Sequence, residues 1–406
     1  MKYFISRAYA LCICIFVLLC ACSGCSSMKH MFSSKDASAK KALQPLPLVD
    51  FKPLIGVKLL WSAHLGKGER IDGVYQRPVV ADGHVYAAAY NRGVYAFDVN
   101  TGKKLWHYLP PKVKGRSPFV LSGGPGVGDG LVVVGSLQGE VIALNAADGT
   151  EKWRAHMTNE VISAPAIDQN LVIVRSNDGR TAAFDVATGV QRWVNDYDMP
   201  SLTLRGNAPP VMGPGVVFVG NDDGTLRTLS LQDGHLLWDQ AIGSPDGRTE
   251  FERLADVDGA PLLEQTNLYA SSYKNTTVAI DGPTGRVLWT SAHGGASGLV
   301  ATSSFILVTD PTSVVWGLDK ITGSAVWSQP GLARRWLTAP AVQDDYVVVG
   351  DYKGYIHWLR DSDGAFAARS RLGHDPIRAQ PVVTDSIVLV QTTHGTLGAF
   401  QLTDAK

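Results

Sequence analysis

The chain has 406 residues, of which 45% are hydrophobic, and its 42 glycines and 21 prolines favour a large body of strands and turns. The 37 basic residues balance the 37 acidic residues, so the absence of net charge argues against nucleic acid as a partner. All five cysteines lie within the first 25 residues, which excludes disulfides and thiol chemistry from the rest of the chain.

The first residues have the pattern of an export signal. A short basic start precedes an apolar run over residues 11–19, which is too short to span a membrane as a helix. The sequence Leu19-Cys20-Ala21-Cys22 resembles the lipobox of bacterial lipoproteins. We therefore predict a lipoprotein signal peptide over residues 1–21 and acylation of Cys22, with acylation of Cys25 or an ordinary cleaved signal as alternatives.

The segment after the signal peptide is predicted to be a tether. Ser23 follows Cys22, at the place where enteric lipoproteins retained in the inner membrane have Asp, so the pattern predicts an outer-membrane anchor. Residues 22–53 are polar and then rich in proline, and a flexible coil of that length spans roughly 30 Å. We expect this lipidated segment to hold a folded domain over residues 54–406 away from the bilayer.

A hairpin pattern then repeats along the rest of the chain. Each copy has a strand that ends in a small residue and Phe or Leu, a polar turn with Gly, and a strand that reaches Trp, as in residues 96–106 and 183–193. The mean spacing of about 44 residues is the length of one propeller blade. Eight copies are marked by Trp61, Trp106, Trp153, Trp193, Trp238, Trp289, Trp327 and, with Ala in place of Trp, Ala368.

The chemistry of the repeated turn explains its composition. Gly allows a positive φ without steric cost, while Asp, Asn and Thr form hydrogen bonds to the local backbone. The flat indole is suited to cover the seam between one blade and the next. A single blade cannot bury both of its faces, so the repeat predicts a closed ring of blades.

We therefore predict an all-β fold, an eight-bladed β-propeller with four-stranded antiparallel blades. The predicted blades cover residues 78–106, 118–153, 165–193, 209–238, 261–289, 298–327 and 340–368, and an eighth starts near Pro381. That last copy ends without its Trp strand, whereas residues 57–61 have the missing pattern at the other end of the chain. We expect this N-terminal strand to complete the eighth blade and to remove an exposed sheet edge.

Two connections between blades break the repeat. The segment between Trp193 and Pro209 contains two leucines and an arginine, and the segment between Trp238 and Pro261 is the longest. Both flank the fourth blade, so we expect them side by side on one face, where apolar and charged residues together favour a docking site. The alternative is that the two loops only pack on each other, with Arg205 paired to Asp256 or Asp258.

The sequence contains few of the motifs that are typical of enzymes. The repeats resemble those of quinoprotein dehydrogenases, which use a quinone, a calcium-like ion and commonly a cysteine pair, yet no Cys follows Cys25. Residues 256–259 match only half a calcium loop, and the ten histidines include no metal-binding motif. We predict a protein that is not an enzyme and has no catalytic, cofactor-binding or metal-binding residues.

The lipobox, the repeats and the two connections together are similar to the BamB family of outer-membrane protein assembly factors. The most specific stretches are residues 198–206 and 253–258. This resemblance implies a lipid-anchored scaffold at the outer membrane, with its propeller in the periplasm. Such a scaffold binds the POTRA repeats of BamA, and through BamA the other lipoproteins of the β-barrel assembly machinery, and assists the insertion of outer-membrane β-barrel proteins.

The resemblance also implies which residues bind BamA. The positions that match the family's binding loops are Leu202, Leu204, Arg205, Asp256 and Asp258. Exposed strands can also recruit extended peptides by edge pairing, which leaves unfolded outer-membrane clients as a further class of partner. The alternative functions are a quinoprotein dehydrogenase of the periplasm and a propeller that binds carbohydrate or peptide of the cell wall.

Overall fold

The computed structural model describes residues 44–66, 76–111, 120–205 and 208–405. The predicted signal peptide, Cys22 and Cys25 lie outside these residues. The compact unit that contains the propeller starts at Leu48. Within the described part of the chain, helical structure is limited to two short 3-10 helices, Phe251–Arg253 and Pro330–Leu332, and no helix is long and apolar enough to cross a membrane.

In the described residues, thirty-two strands form eight antiparallel sheets of four strands each, and these sheets are the blades. Blades one and two consist of β2 (Val79–Ala81), β3 (His84–Ala89), β4 (Gly93–Asp98), β5 (Lys104–Tyr108), β6 (Leu121–Gly128), β7 (Leu131–Ser136), β8 (Glu140–Asn145) and β9 (Glu151–His156). Blades three and four consist of β10 (Ala166–Asp168), β11 (Leu171–Arg175), β12 (Thr181–Asp185), β13 (Gln191–Asn195), β14 (Val211–Gly213), β15 (Val216–Gly220), β16 (Thr225–Ser230) and β17 (Leu236–Ala241).

The other four blades have the same order of strands. Blades five and six consist of β18 (Leu262–Glu264), β19 (Asn267–Ser272), β20 (Thr276–Asp281), β21 (Arg286–Ser291), β22 (Leu299–Ala301), β23 (Phe305–Thr309), β24 (Val315–Asp319) and β25 (Ala325–Gln329). Blades seven and eight consist of β26 (Ala341–Gln343), β27 (Tyr346–Gly350), β28 (Tyr355–Arg360), β29 (Phe366–Arg371), β30 (Val382–Thr384), β31 (Ile387–Gln391), β32 (Thr396–Thr403) and β1 (Gly56–His64).

The ring is closed by the two ends of the domain. Strand β1 pairs with β32 in an antiparallel register that runs from Gly56 opposite Thr403 to His64 opposite Thr396. The eighth blade therefore combines three C-terminal strands with one N-terminal strand, and it has four strands like the other seven sheets. The predicted fold, its eight blades and its closure are confirmed.

The position of a strand within its blade determines its composition. Second strands such as β11 lie between neighbouring blades with both faces covered, and they are almost fully buried runs of Val, Ile and Leu. Fourth strands form the rim; in β5, exposed residues surround the buried Trp106.

The tryptophans seal the seams between blades as predicted. Trp61 Nε1 donates a 2.9 Å hydrogen bond to the Val99 carbonyl of the next blade, and its ring covers Gly102. Gly102 has a φ of 67°, and a Cβ built there would lie 2.5 Å from the indole. The same bond, at 2.8–3.1 Å, joins Trp106 to Ala146, Trp153 to Val186, Trp193 to Leu231, Trp238 to Gly282 and Trp289 to Lys320.

Closure of the ring also explains why the last copy of the repeat has Ala368. An indole at this position would cover the turn between the third and fourth strands of blade eight. Blade eight has no such turn, because its fourth strand comes from the other end of the chain. Ala368 instead contributes to a core cluster against which Ile55, Val57 and Leu402 pack.

The residues just before β1 lie on blade seven. The Phe51 ring stacks on Phe366 with centroids 5.2 Å apart, and Arg369 Nη2 donates a 2.9 Å hydrogen bond to the Val49 carbonyl. The Leu54 amide donates a 2.8 Å bond to the Ala367 carbonyl. Residues 48–53, predicted from the sequence to end the tether, lie in the same compact unit as the propeller strands.

Candidate functional site

The strand order gives the propeller two faces with different loops. Each connection from a fourth strand to the next first strand lies on the same face as the turns between second and third strands. We call this the connector face. The turns between third and fourth strands, which carry the Gly of the repeat, lie on the opposite face.

The two connections that break the repeat are neighbours on the connector face. The blade 3–4 connector (residues 196–210) and the blade 4–5 connector (residues 242–261) are joined by a 2.6 Å hydrogen bond from Ser201 Oγ to Glu250 Oε2. A second bond of 2.8 Å runs from the Leu204 amide to Asp256 Oδ2. The predicted adjacency of the two connectors is confirmed.

The apolar residues of these connectors differ in exposure. Leu202 is 44% exposed, whereas Leu204 is half-buried. Phe251, in the 3-10 helix of the blade 4–5 connector, is 67% exposed and follows Glu250, which Ser201 contacts. The sequence analysis did not single out Phe251, although an aromatic residue inside a long polar connector was a usable signal.

Arg205 pairs with a residue of a third connector. Its Nη2 lies 2.5 Å from Oε2 of Glu160, in the segment between blades two and three. The expected alternative pairing of Arg205 with Asp256 or Asp258 is therefore wrong. Arg205 has a φ of 58°, a backbone conformation that is uncommon for residues other than Gly, and the ion pair helps to hold this turn.

Asp256 is fully buried and forms hydrogen bonds to the backbone of the surrounding loops. Its carboxylate accepts the Leu204 amide, and its own carbonyl accepts a 2.9 Å bond from the Tyr273 amide. The Val257 amide donates to the Asn221 carbonyl at 3.0 Å. Asp256 can thus influence a docked partner only through the loop that it positions.

Asp256 belongs to a group of three carboxylates beneath the connectors. The ligand oxygens of Asp222, Asp256 and Asp258 lie within 4.8 Å of one another. Arg175 Nη2 lies 2.6 Å from Asp222 Oδ2, and both side chains are buried. In the described part of the chain this is the one group of side chains close enough to share a metal ion, but Arg175 already supplies it with a cation and we assign no metal to it.

Burial raises the pKa of two members of this group, Asp256 and Asp258. Loss of solvent raises the pKa of Asp256 to about 6; the bond from Leu204 opposes this change and the charge of Asp222 adds to it. Burial, together with the charges of Asp256 and Asp222, raises the pKa of Asp258 well above its ordinary value, although Arg175 opposes it.

The centre of the propeller does not fit the quinone cofactor of the dehydrogenases. A cavity of about 310 Å³ lies where the innermost strands of blades one to four and eight converge. Among the described residues, its lining is mainly proline and aliphatic, with Arg77 as its charged residue and without the carboxylates or amides that would hold a calcium-like ion.

Comparison with known proteins agrees with the architecture. The family model described as outer membrane protein assembly factor BamB matches residues 56–119, 112–329 and 322–406. The solved structure of BamB from Moraxella catarrhalis has a TM-score of 0.76 at 24% identity, and the match covers 85% of this chain and 100% of that chain. A quinohemoprotein alcohol dehydrogenase from Comamonas testosteroni matches with a TM-score of 0.65 at 14% identity, over 85% of this chain and 76% of that chain, which shows a shared fold.

Curated relatives extend the match to most of the chain. The outer membrane protein assembly factor BamB of Xanthomonas campestris pv. campestris is 62% identical over 383 residues, or 94% of both chains. The protein of the same name in Escherichia coli (strain K12) is 37% identical over 382 residues, which are 92% of this chain and 94% of that one. The chain therefore belongs to the BamB family of outer membrane protein assembly factors.

Proposed function

We propose that this protein is a non-catalytic, lipid-anchored scaffold of the outer-membrane β-barrel assembly machinery. It binds the POTRA repeats of BamA with its two special connectors, joins the other lipoproteins of the machinery through BamA, and assists the folding and insertion of outer-membrane β-barrel proteins. The observation that carries the proposal is the pair of adjacent connectors, in which exposed Leu202 stands on a loop held by Asp256 and Arg205.

The arrangement has the features of a protein docking surface. Leu202 and Phe251, on the neighbouring connector, offer apolar area to a partner, and Leu204 in the loop of Leu202 is half-buried. The loop is pre-organised by contacts to two other connectors, so little ordering entropy remains to be lost on binding. Arg205, about one-third exposed, remains within reach of a partner while it pairs with Glu160.

The proposal is tested by co-purification of BamA with the full-length chain. Leu202→Asp puts a charge into the apolar contact and should abolish co-purification without a change in the thermal unfolding midpoint. Val190→Asp is the matched control, because Val190 is an exposed apolar residue in a turn on the opposite face. Loss of BamA in both variants, or retention in both, would contradict the assignment.

A charge swap shows whether Arg205 shapes the loop or contacts BamA with its charge. Arg205→Glu places two carboxylates side by side and should release the turn, and with it BamA. Adding Glu160→Arg restores the ion pair with its direction reversed. Recovery of BamA in the double variant indicates that Arg205 shapes the loop, whereas continued loss indicates that its charge contacts the partner.

The membrane anchor is a separate part of the proposal. Acylation at Cys22, with Cys25 as the alternative, would hold the propeller on the periplasmic side of the outer membrane. Growth with an alkyne-bearing palmitate analogue should label the wild-type chain and leave Cys22→Ala unlabelled. If Cys25→Ala removes the label and Cys22→Ala keeps it, Cys25 is the anchor.

The dehydrogenase alternative is disfavoured by the lining of the central cavity and by the names of the close relatives. Adding quinone and calcium to the purified chain should give no dye-linked oxidation of alcohols. Turnover under these conditions would overturn the non-catalytic proposal.

A further inference from the structure

A second surface on the connector face carries an exposed tryptophan. Trp336 lies in the connection between blades six and seven, follows the 3-10 helix Pro330–Leu332, and is 67% exposed. Its φ is 46°, and Arg334, two residues earlier, has a φ of 61°. Left-handed backbone is rare for bulky residues and persists where the surroundings enforce it, often at functional sites.

A buried network of charged side chains holds the left-handed backbone at Arg334 and Trp336 in place. Arg335 Nε donates a 2.8 Å hydrogen bond to Asp351 Oδ2, and His357 Nε2 lies 3.3 Å from the same oxygen. Asp351 Oδ1 accepts the amides of Lys353 and Tyr355 at 2.8 and 3.0 Å. The buried ion pair of Arg335 and Asp351 joins the connector to the turn 351–354. Such pairs contribute little net stability, and we infer that this one holds the connector in a single position.

The locked turn supports the indole through Tyr352. The Trp336 ring meets the Tyr352 ring edge-on with centroids 5.2 Å apart. The Arg335 guanidinium lies 5.2 Å from the centre of the same tyrosine ring, and Lys353 Nζ lies 5.6 Å from it. Arg371 stacks 4.4 Å over Tyr355 and donates a 3.1 Å bond to the Lys353 carbonyl. The result is a rigid protruding aromatic side chain beside a cationic rim.

We propose that Trp336, Tyr352, Lys353 and Arg371, here called the Trp336 patch, bind a polypeptide segment that carries carboxylates next to an apolar side chain. Trp, Tyr and Arg are the residues most enriched among energetic anchors of protein interfaces. Lys353 is exposed and Arg371 is half-exposed, whereas the carboxylate of this cluster, Asp351, is buried and paired. The accessible charge is therefore positive and complements an acidic segment.

A protein segment fits these observations better than a lipid surface. Membrane binding by an interfacial surface uses a broad, adaptable apolar face, whereas here one indole is held in a single orientation by stacked contacts. The blades that carry the Trp336 patch differ from those that carry Leu202, so the two surfaces can be tested separately.

The test uses two fluorescein-labelled 12-residue peptides that share the same Leu and Phe residues and differ in carrying either Asp and Glu or Lys. Fluorescence anisotropy with the full-length chain in detergent micelles should show at least tenfold tighter binding of the acidic peptide. Trp336→Ala should weaken that binding at least tenfold, and it keeps the left-handed backbone strain because Ala also has a Cβ. Ile321→Ala is the matched control, since Ile321 is 85% exposed on the opposite face.

A second variant keeps the test decisive if Trp336→Ala is poorly folded. Lys353→Glu reverses the rim charge and should shift the preference toward the basic peptide. Equal binding of the two peptides, or equal effects of Trp336→Ala and Ile321→Ala, would overturn the proposal. Trp336-dependent binding to vesicles of anionic phosphatidylglycerol, with no binding of the acidic peptide, would overturn it in favour of a headgroup site.

Discussion

Two substitutions at Asp256 separate its two properties, the hydrogen bond and the charge. Asp256→Asn keeps an oxygen that accepts the Leu204 amide, and it removes a carboxylate that lies within 4.8 Å of two others. Asp256→Ala removes the acceptor and leaves the partly buried Leu204 N–H without this partner, which costs up to about 1–3 kcal/mol. We expect Asn to preserve the loop and the docking of BamA, and Ala to lose both.

The expected change in the free energy of unfolding of Asp256→Asn follows from the raised pKa of Asp256. A folded-state pKa of about 6 in place of 3.8 lowers the stability at pH 8 by about 3 kcal/mol relative to an unperturbed carboxyl. Because the folded pKa is raised, the folded state holds a proton that the unfolded state has released. The contribution of Asp256 to wild-type stability therefore falls as pH rises from 3.8 through about 6, and the Asn variant lacks this loss.

Urea unfolding at pH 4 and pH 8 measures this difference, and BamA co-purification measures the docking. The free energy of unfolding of Asp256→Asn should exceed that of the wild type at pH 8 by up to about 3 kcal/mol, and most of this gain should vanish at pH 4. If Asp256→Asn loses BamA as completely as Asp256→Ala, the hydrogen bond to the Leu204 amide is not what docking requires and the positioning role is wrong. Equal pH dependence of Asp256→Asn and wild type would contradict the raised pKa.

Two further predictions concern the seams of the ring, and urea unfolding checks both. Gly102→Ala combines left-handed strain with a Cβ 2.5 Å from the Trp61 ring, whereas its control Gly83→Ala has the same kind of strain, at a φ of 74°, with nothing within 4 Å. Gly102→Ala should therefore lower the free energy of unfolding by about 1–3 kcal/mol more than Gly83→Ala. Equal losses in the two variants would contradict the contact at the seam. Ala368→Trp introduces the Trp of the other repeats at a position where Ile55 and Val57 already pack. Overpacking should lower the free energy of unfolding by about 1–3 kcal/mol. A gain in stability would refute the explanation of Ala368.

The repeat made the architecture predictable from sequence because each Trp has a local and repeated task. Spacing alone predicted the number of blades, and the incomplete last copy together with residues 57–61 predicted the closure by β1. The substitution of Ala368 was visible in the sequence, but its cause depends on the missing turn of blade eight and became clear only with the closed ring.

The candidate site was less predictable because its contacts join separate connectors. The sequence placed Leu202 and Leu204 correctly on a loop beside the blade 4–5 connector. Arg205 meets Glu160, which lies 45 positions earlier and carries no motif of its own. The burial of Asp256 and the exposure of Trp336 also depend on how three or more loops pack, and local pattern does not encode this.

Site-specific photo-crosslinking tests the central claim that the adjacent connectors of blades three to five hold BamA. A benzophenone side chain introduced at position 202 of the full-length chain in cells should give a crosslink to BamA under ultraviolet light. The same side chain at position 190, on the opposite face, should give none. A crosslink to BamA from position 190 without one from position 202 would contradict the account.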